Sequence, residues 1–262
     1  MTRLSVNLNK VALLRNGRGG NNPNLVDAAR RVLDSGGQGI TVHPRPDQRH
    51  IRPADVADLA QLLASDYPHI ELNIEGNPFA DANAGGYPGF ASLIEQARPA
   101  QATLVPDSDE QLTSDHGWDL TGDQQPLRKQ ITQYQAWGAR VSLFMDPDFE
   151  QIRLAKDLGA DCIELYTGPF ADTVAAHGLV HERSLASLDQ FKQAAQFARQ
   201  LGLGVNAGHD LDCTNLALFR QISEIQEVSI GHALISDALI HGLAETVRAY
   251  LAALQGHNAT AN

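Results

Sequence analysis

The 262-residue chain predicts an α/β fold, a (β/α)8 or TIM barrel built as a single domain, and three observations lead there. Short β-branched or apolar runs alternate with amphipathic stretches from one end to the other, the pattern of parallel strands separated by helices. Glycine recurs just before a strand, in SGGQGITV, WGARVSLF, LGADCIEL and LGLGVNAG, where it ends a helix in the left-handed conformation and lets the next strand turn back into the sheet. No linker or low-complexity segment divides residues 1–255, and GHNATAN at 256–262 is left as a polar tail.

Taken in order, strands are expected at 4–9, 39–43, 70–75, 102–105, 140–145, 162–166, 204–208 and 227–231. Helices are expected at 24–35, 53–64, 89–97, 124–137, 149–158, 184–201, 214–221 and 236–254. Eight βα units without a composition break favour a closed barrel over an open doubly wound sheet, and no GxGxxG follows the first strand. The connections 76–88 and 167–183 are long. Long βα connections belong to the active-site face of a barrel, and the second is read as a lid.

Composition narrows the function classes. Hydrophobic residues make up 43% and charged residues 19%, which allows a large core and excludes a disordered chain. No apolar run approaches the roughly 18 residues of a membrane span, and MTRLSVNLNK lacks a secretory signal, so a cytoplasmic protein is expected. The two cysteines, Cys162 and Cys213, form no CxxC and suggest neither a disulfide framework nor a zinc cluster. A net charge of -11 argues against nucleic-acid binding. Yet residues 1–52 hold nine Lys or Arg against three acids. The basic residues flanking the first two strands suit small anions, while Arg30 and Arg31 read as outer helix surface.

The C-terminal ends of barrel strands converge on one mouth, so polar residues falling there are the candidates for chemistry. Asn7, Asn9, His43, Glu75, Asp146, Glu164, His209 and His232 all sit at or just beyond a predicted strand end. Histidine exchanges protons near neutral pH, and an enclosed carboxylate is tuned upward to do the same. No HExxH or HxH pair is present, which sets proton transfer ahead of a metal site. NAGHD at 206–210 and IGHALISD at 230–237 carry Gly208 and Gly231, which let backbone approach a phosphate, with Ser236 placed to cap the last helix; tight strand-to-helix turns are the simpler alternative. GITVHPRPDQRHI at 39–51 is more specific: strand 2 ends at His43, and two prolines stiffen a loop bearing Arg45, Arg49 and His50, with arginine forks suited to phosphate or polyol oxygens.

VNLNKVALLRNGRGG, GITVHPRPDQRHI, LNIEGNP, LVPDSDEQLTSDHGWD, VSLFMDP, IELYTGPFAD, VNAGHDL and IGHALI together resemble the motifs of the pyridoxine 5'-phosphate synthase family across all eight strands. The resemblance implies a homo-octamer that condenses 1-deoxy-D-xylulose 5-phosphate with 3-amino-2-oxopropyl phosphate, releasing pyridoxine 5'-phosphate, phosphate and water. It implies His43 and Glu75 as proton acceptors and His209 as proton donor. Asn7, Arg18, Asp210, Gly231 and His232 would bind the amino-ketone phosphate; Asn9, Lys10, Arg45, His50 and Thr113 would contact the deoxyxylulose phosphate. No metal or cofactor is implied, since one substrate brings its own amine for imine formation with the other's ketone. Two departures stand out: Asn9-Lys10 replaces the frequent Asp-His, and Gly208-His209-Asp210 replaces Gly-His-Gly. A metal-assisted sugar-phosphate aldolase or epimerase, and a sugar-phosphate binder without catalysis, are the rival readings.

Overall fold

The strands alternate in polarity, and that alternation decides which way each side chain faces. In the computed structural model, which describes residues 1–108 and 110–256, eight parallel strands close into a barrel in the order β1 to β8. They are β1 (Arg3–Asn7), β2 (Gly39–Val42), β3 (Glu71–Gly76), β4 (Gln101–Leu104), β5 (Arg140–Met145), β6 (Cys162–Tyr166), β7 (Gly204–Gly208) and β8 (Glu227–Ile230). Leu4, Val6, Ile40, Val42, Leu72, Ile74, Val141, Leu143, Ile163 and Val205 join the apolar core shared with the surrounding helices. Successive strand side chains point to opposite faces, so the intervening residues fill the barrel, and these are polar. Ser5 Oγ lies 2.7 Å from Thr41 Oγ1, Thr103 Oγ1 donates to Asn73 at 3.0 Å, and Asn206 Nδ2 crosses from β7 to Gln101 on β4 at 3.1 Å. Barrel interiors of this class are ordinarily filled by branched aliphatic side chains, so the hydrophobic core here is the layer between strands and helices.

Eleven helices are described: α1 (Asn9–Asn16), α2 (Leu25–Asp34), α3 (Pro53–Asp66), α4 (Phe90–Ala97), α5 (Gln125–Ala136), α6 (Phe149–Leu158), α7 (Gly168–His177), α8 (Glu182–Gln200), α9 (Cys213–Phe219), α10 (His232–His241) and α11 (Leu243–Gln255). Their ends follow local chemistry. Asn24 caps α2 by accepting from the Asp27 amide at 2.9 Å, Asp148 caps α6 from Gln151 at 2.9 Å, and Gly159 closes α6 at φ 95°.

Three expectations need correction. The segment 167–183, read as a lid, is largely helix α7, because Phe170 packs on Phe191 and Phe219 at ring distances of 6.0 and 5.2 Å and anchors it to the core. The single helix expected at 236–254 begins earlier and is broken at Gly242, whose φ of 81° and ψ of 144° no helix can hold. Ser236 lies inside α10 and donates to the His232 carbonyl at 2.8 Å, so it caps nothing. The tail at 256–262 lies outside the described residues apart from Gly256. Among the described residues no helix is long and apolar enough to cross a membrane.

Candidate active site

At the C-terminal mouth of the barrel a cavity of about 380 Å³ is lined by residues from all eight strands or the loops that follow them. Its walls include Asn7, Asn9, Lys10, His43, Arg45, His50, Glu75, Thr113, Glu164, His209, Asp210, Gly231 and His232. Twelve of the thirteen residues expected to act on substrate therefore share one space. Arg18 does not join them; it lies exposed in the turn after α1, its amide bonded to the Arg15 carbonyl at 3.3 Å. Asp146 is also set apart, accepting from the Gly117 amide at 3.1 Å.

The first wall is built by β1 and β2. Asn7 Oδ1 accepts from the Asn9 amide at 2.9 Å, which turns the chain sharply from β1 into α1, and Asn7 Nδ2 donates to Glu75 Oε2 at 3.3 Å. Asn9 Oδ1 in turn accepts from the His43 amide at 2.9 Å. A carboxylate would accept equally well there, so the departure at Asn9 keeps the bond and drops the charge. His43 is buried. Burial first, then Arg45, His50, Arg49 and His209, hold its imidazole well below the ordinary range, so it is neutral and free to accept a proton.

The loop after β2 carries the second basic group of side chains. His50 Nδ1 accepts from the Ile51 amide at 2.9 Å, which places the ring proton on Nε2 and aims a donor outward. Burial, then Arg45, Arg49 and Lys10, lower His50 to about 3. The loop is fixed from behind by Arg15, a fully buried guanidinium that pairs with Asp55 at 2.9 Å and donates to the His50 carbonyl at 3.1 Å. Arg45 is buried too, bonded to Asp107 Oδ2 and, at 3.2 Å, to the Gln111 carbonyl.

Glu75, the penultimate residue of β3, lies at the cavity floor. Burial, then the charges of Glu164 and Asp107, raise it well above the usual carboxylate range, against a hydrogen bond from Ser229 and the charge of Arg45. Glu164, 3% exposed, lies deeper on β6 and is raised by burial and then by Glu227. Opposite, His209 and Asp210 both have positive φ, 86° and 58°. Glycine is the usual tenant of that region, and Asp is among the few side chains that tolerate it. His209 Nδ1 lies 2.8 Å from Asp210 Oδ2 and Nε2 lies 2.8 Å from Thr113 Oγ1, while the Tyr166 ring packs edge-on at 5.3 Å. The His209 bond, ahead of any other influence, holds Asp210 below the usual carboxylate range. Thr113 belongs to the connection after β4, whose residues 111–114 therefore reach across the mouth from Arg45 to His209, in place of the connection after β6.

The sequence reading did not single out Asp107 or Ser114, which donates to Asp107 at 2.7 Å, and it missed the acidic interior below Glu164. The signal was present as polar residues at every second strand position: Arg3, Ser5 and Asn7; Glu71, Asn73 and Glu75; Gln101 and Thr103; Glu227 and Ser229. Gly231 immediately precedes α10 beside the cavity, and a Cβ there would come within 3.1 Å of the Asn7 Cβ. Among the described residues no three His, Cys, Asp or Glu are grouped to hold a metal ion.

Residues 4–256 match the family model described as pyridoxal phosphate biosynthesis protein PdxJ. The chain is 53% identical over 261 residues to the pyridoxine 5'-phosphate synthase of Xanthomonas campestris pv. campestris (strain B100), covering 99% of each. It is 50% identical over 258 residues to that of Xylella fastidiosa (strain 9a5c), covering 98% of this chain and 96% of the relative. Among solved structures, tryptophan synthase from M. tuberculosis superposes with a TM-score of 0.63 at 11% identity, over 97% of this chain and 93% of that one, a likeness of barrel fold alone. A match of this identity over both full lengths shows that the chain belongs to the PdxJ family of pyridoxal phosphate biosynthesis proteins, the pyridoxine 5'-phosphate synthases.

Proposed function

We propose that this cavity condenses 1-deoxy-D-xylulose 5-phosphate with 3-amino-2-oxopropyl phosphate, and that His43, Glu75 and His209 move the protons. The observation that supports it most is the convergence of two neutral, buried imidazoles and a carboxylate of raised proton affinity on one cavity. Imine formation, loss of water and phosphate, and ring closure each require protons to leave and rejoin carbon, nitrogen or oxygen, and groups titrating away from their usual range serve as such acceptors and donors. Neutral His43 accepts a proton without first losing one. Glu75, when ionised among buried neighbours, is a stronger base than a solvated carboxylate. His209, whose Nδ1–H is held by the Asp210 carboxylate, gives up the proton of Nε2 when the ring is an imidazolium.

Binding falls to the cationic and amide-rich walls. Lys10, Arg45 and the outward Nε2 of His50 face one phosphorylated partner with Asn9 and Thr113; Asn7, Gly231 and His232 at the start of α10 face the other with Asp210. Arg18 is proposed for the amino-ketone phosphate on family resemblance alone, since within one chain it stands away from the cavity. Holding both partners in one cavity supplies the entropic share of the acceleration. A cytoplasmic homo-octamer without metal or cofactor completes the reading, and the exposed Leu13, Leu14, Leu239 and Ile240 on α1 and α10 agree with assembly.

The test is product formation from the two substrates by purified protein, before and after chelation. Equal rates are expected. Activity abolished by chelator and restored by a divalent metal would overturn the reading in favour of a metal-assisted aldolase or epimerase.

A further inference from the structure

From the cavity floor downward runs an acidic layer to which the proposed condensation assigns no proton transfer. Glu164 on β6, Asn206 on β7, Glu227 on β8 and Arg3 on β1 are successive partners in the strand register, so they form one row around the barrel wall. Glu164 and Glu227 are 3% and 4% exposed. Their surroundings differ in charge. Around Glu227 stand Arg3 from β1, Glu71 from β3, Arg140 from β5, and Cys162 and Glu164 from β6. Arg3 Nη2 is 3.3 Å from Glu227 and 3.1 Å from Glu71, and Arg140 grips Glu71 with two bonds of 2.9 and 2.6 Å. Around Glu164 the charged neighbours are Glu227 below and Glu75 above, and its side-chain partner is the neutral Thr103 hydroxyl, 3.4 Å away. Among the described residues no cation pairs with Glu164.

Two close, buried carboxylates cannot both ionise cheaply, and the one beside cations ionises first. That one is Glu227. Its charge then opposes ionisation of Glu164, and a neutral Glu164 in turn spares Glu75 a repelling neighbour.

We propose that Glu227 is a positioning residue: held at the barrel floor by Arg3 and the Arg140–Glu71 pair, it keeps the proton on Glu164 and so leaves the negative charge of the cavity on Glu75. The proposal rests on Glu75 being the proton acceptor of the proposed condensation. The charge of Glu227 is the second influence on Glu164 after burial, and the charge of Glu164 is the second on Glu75 after burial, so the direction of each shift agrees with the geometry.

Infrared spectroscopy on the full chain tests it without catalysis. The carbonyl band of protonated Glu164 is identified by its loss in Glu164→Gln. In the wild type it is expected to persist at pH 7, and in Glu227→Gln to titrate about one pH unit lower, with Glu227→Asp restoring the original midpoint. Absence of the band from the wild type at pH 7, or an unmoved midpoint in Glu227→Gln, overturns the proposal; the first measurement stands even where Glu227→Gln fails to fold. In the same variant kcat at neutral pH is expected to fall about tenfold with KM for both substrates unchanged, and both limbs of the pH–kcat profile to move toward acid. A shifted band with unshifted limbs upholds the charge coupling and removes Glu75 from the acceptor role.

Discussion

At the scale of single residues, the site depends on keeping imidazoles neutral where water is scarce. His43 reaches that state through burial and the nearby cations, and its backbone is fastened by one side-chain bond from Asn9. Asn9→Ala removes the acceptor and leaves a half-buried amide unsatisfied, which is expected to cost about 1 kcal/mol of stability by chemical denaturation and to lower kcat. Asn9→Asp keeps the acceptor but adds a carboxylate near the ring. Negative charge favours imidazolium, so the acid limb of kcat/KM is expected to move to higher pH, by up to about one unit; a limb that stays in place would show that His43 does not govern it. The family motifs made His43, Glu75 and His209 legible from the sequence, because each is the polar residue at a strand's C-terminal end. What no sequence could show is that His209 and Asp210 hold positive φ together, or that Asp107 already occupies Arg45.

At the scale of elements, the eight strands were legible because outward apolar residues alternate with inward polar ones, and the boundaries agree within two residues. Helices α1 and α7 were not. Helix α1 is eight residues long and begins inside what reads as a continuing strand, VNLNKVALL, where only the Asn7 side chain ends the extended run. Helix α7 is held by Phe170, a tertiary contact that local pattern does not reveal. Helix α1 bears on the site. Arg15 on α1 bonds the His50 carbonyl and Asp55, which also accepts from the Arg52 amide at 2.8 Å to start α3. Arg15→Met is expected to destabilise by about 3 kcal/mol, since it leaves a buried carboxylate unpaired, and to raise KM for the deoxyxylulose phosphate as the His50 loop loosens. Gly242 between α10 and α11 is a contrasting case: a Cβ there meets nothing within 4 Å, yet φ is 81°. Backbone strain alone predicts that Gly242→Ala lowers Tm by roughly 2–4 °C and leaves kcat unchanged.

At the scale of the whole molecule, the barrel trades an aliphatic interior for a polar one and moves its hydrophobic core outward, between sheet and helices. The consequence is a stability that depends on pH through groups of opposite sign. His50, lowered to about 3, contributes stability that is complete above pH 6.5 and is lost as pH falls toward 3. Glu227 behaves in reverse: burial raises it to about 7, even though Arg3 contacts it, because that half-open cation is shared with Glu71. Its contribution is therefore complete below pH 4.5 and is lost as pH rises to about 7. Glu227→Gln is expected to gain on the wild type across that window, by on the order of 2–3 kcal/mol at pH 7 in denaturant titrations, with a constant difference above it. A difference independent of pH would show that Glu227 is ionised throughout.

The central claim is that Glu75 takes protons from substrate within the shared cavity. Glu75→Gln preserves size and the capacity to accept from Asn7, and removes only the base. Steady-state kinetics with both phosphorylated substrates should show kcat reduced by about 10²- to 10⁴-fold, with each KM within about threefold of the wild type. A kcat within about twofold of the wild type would contradict the account.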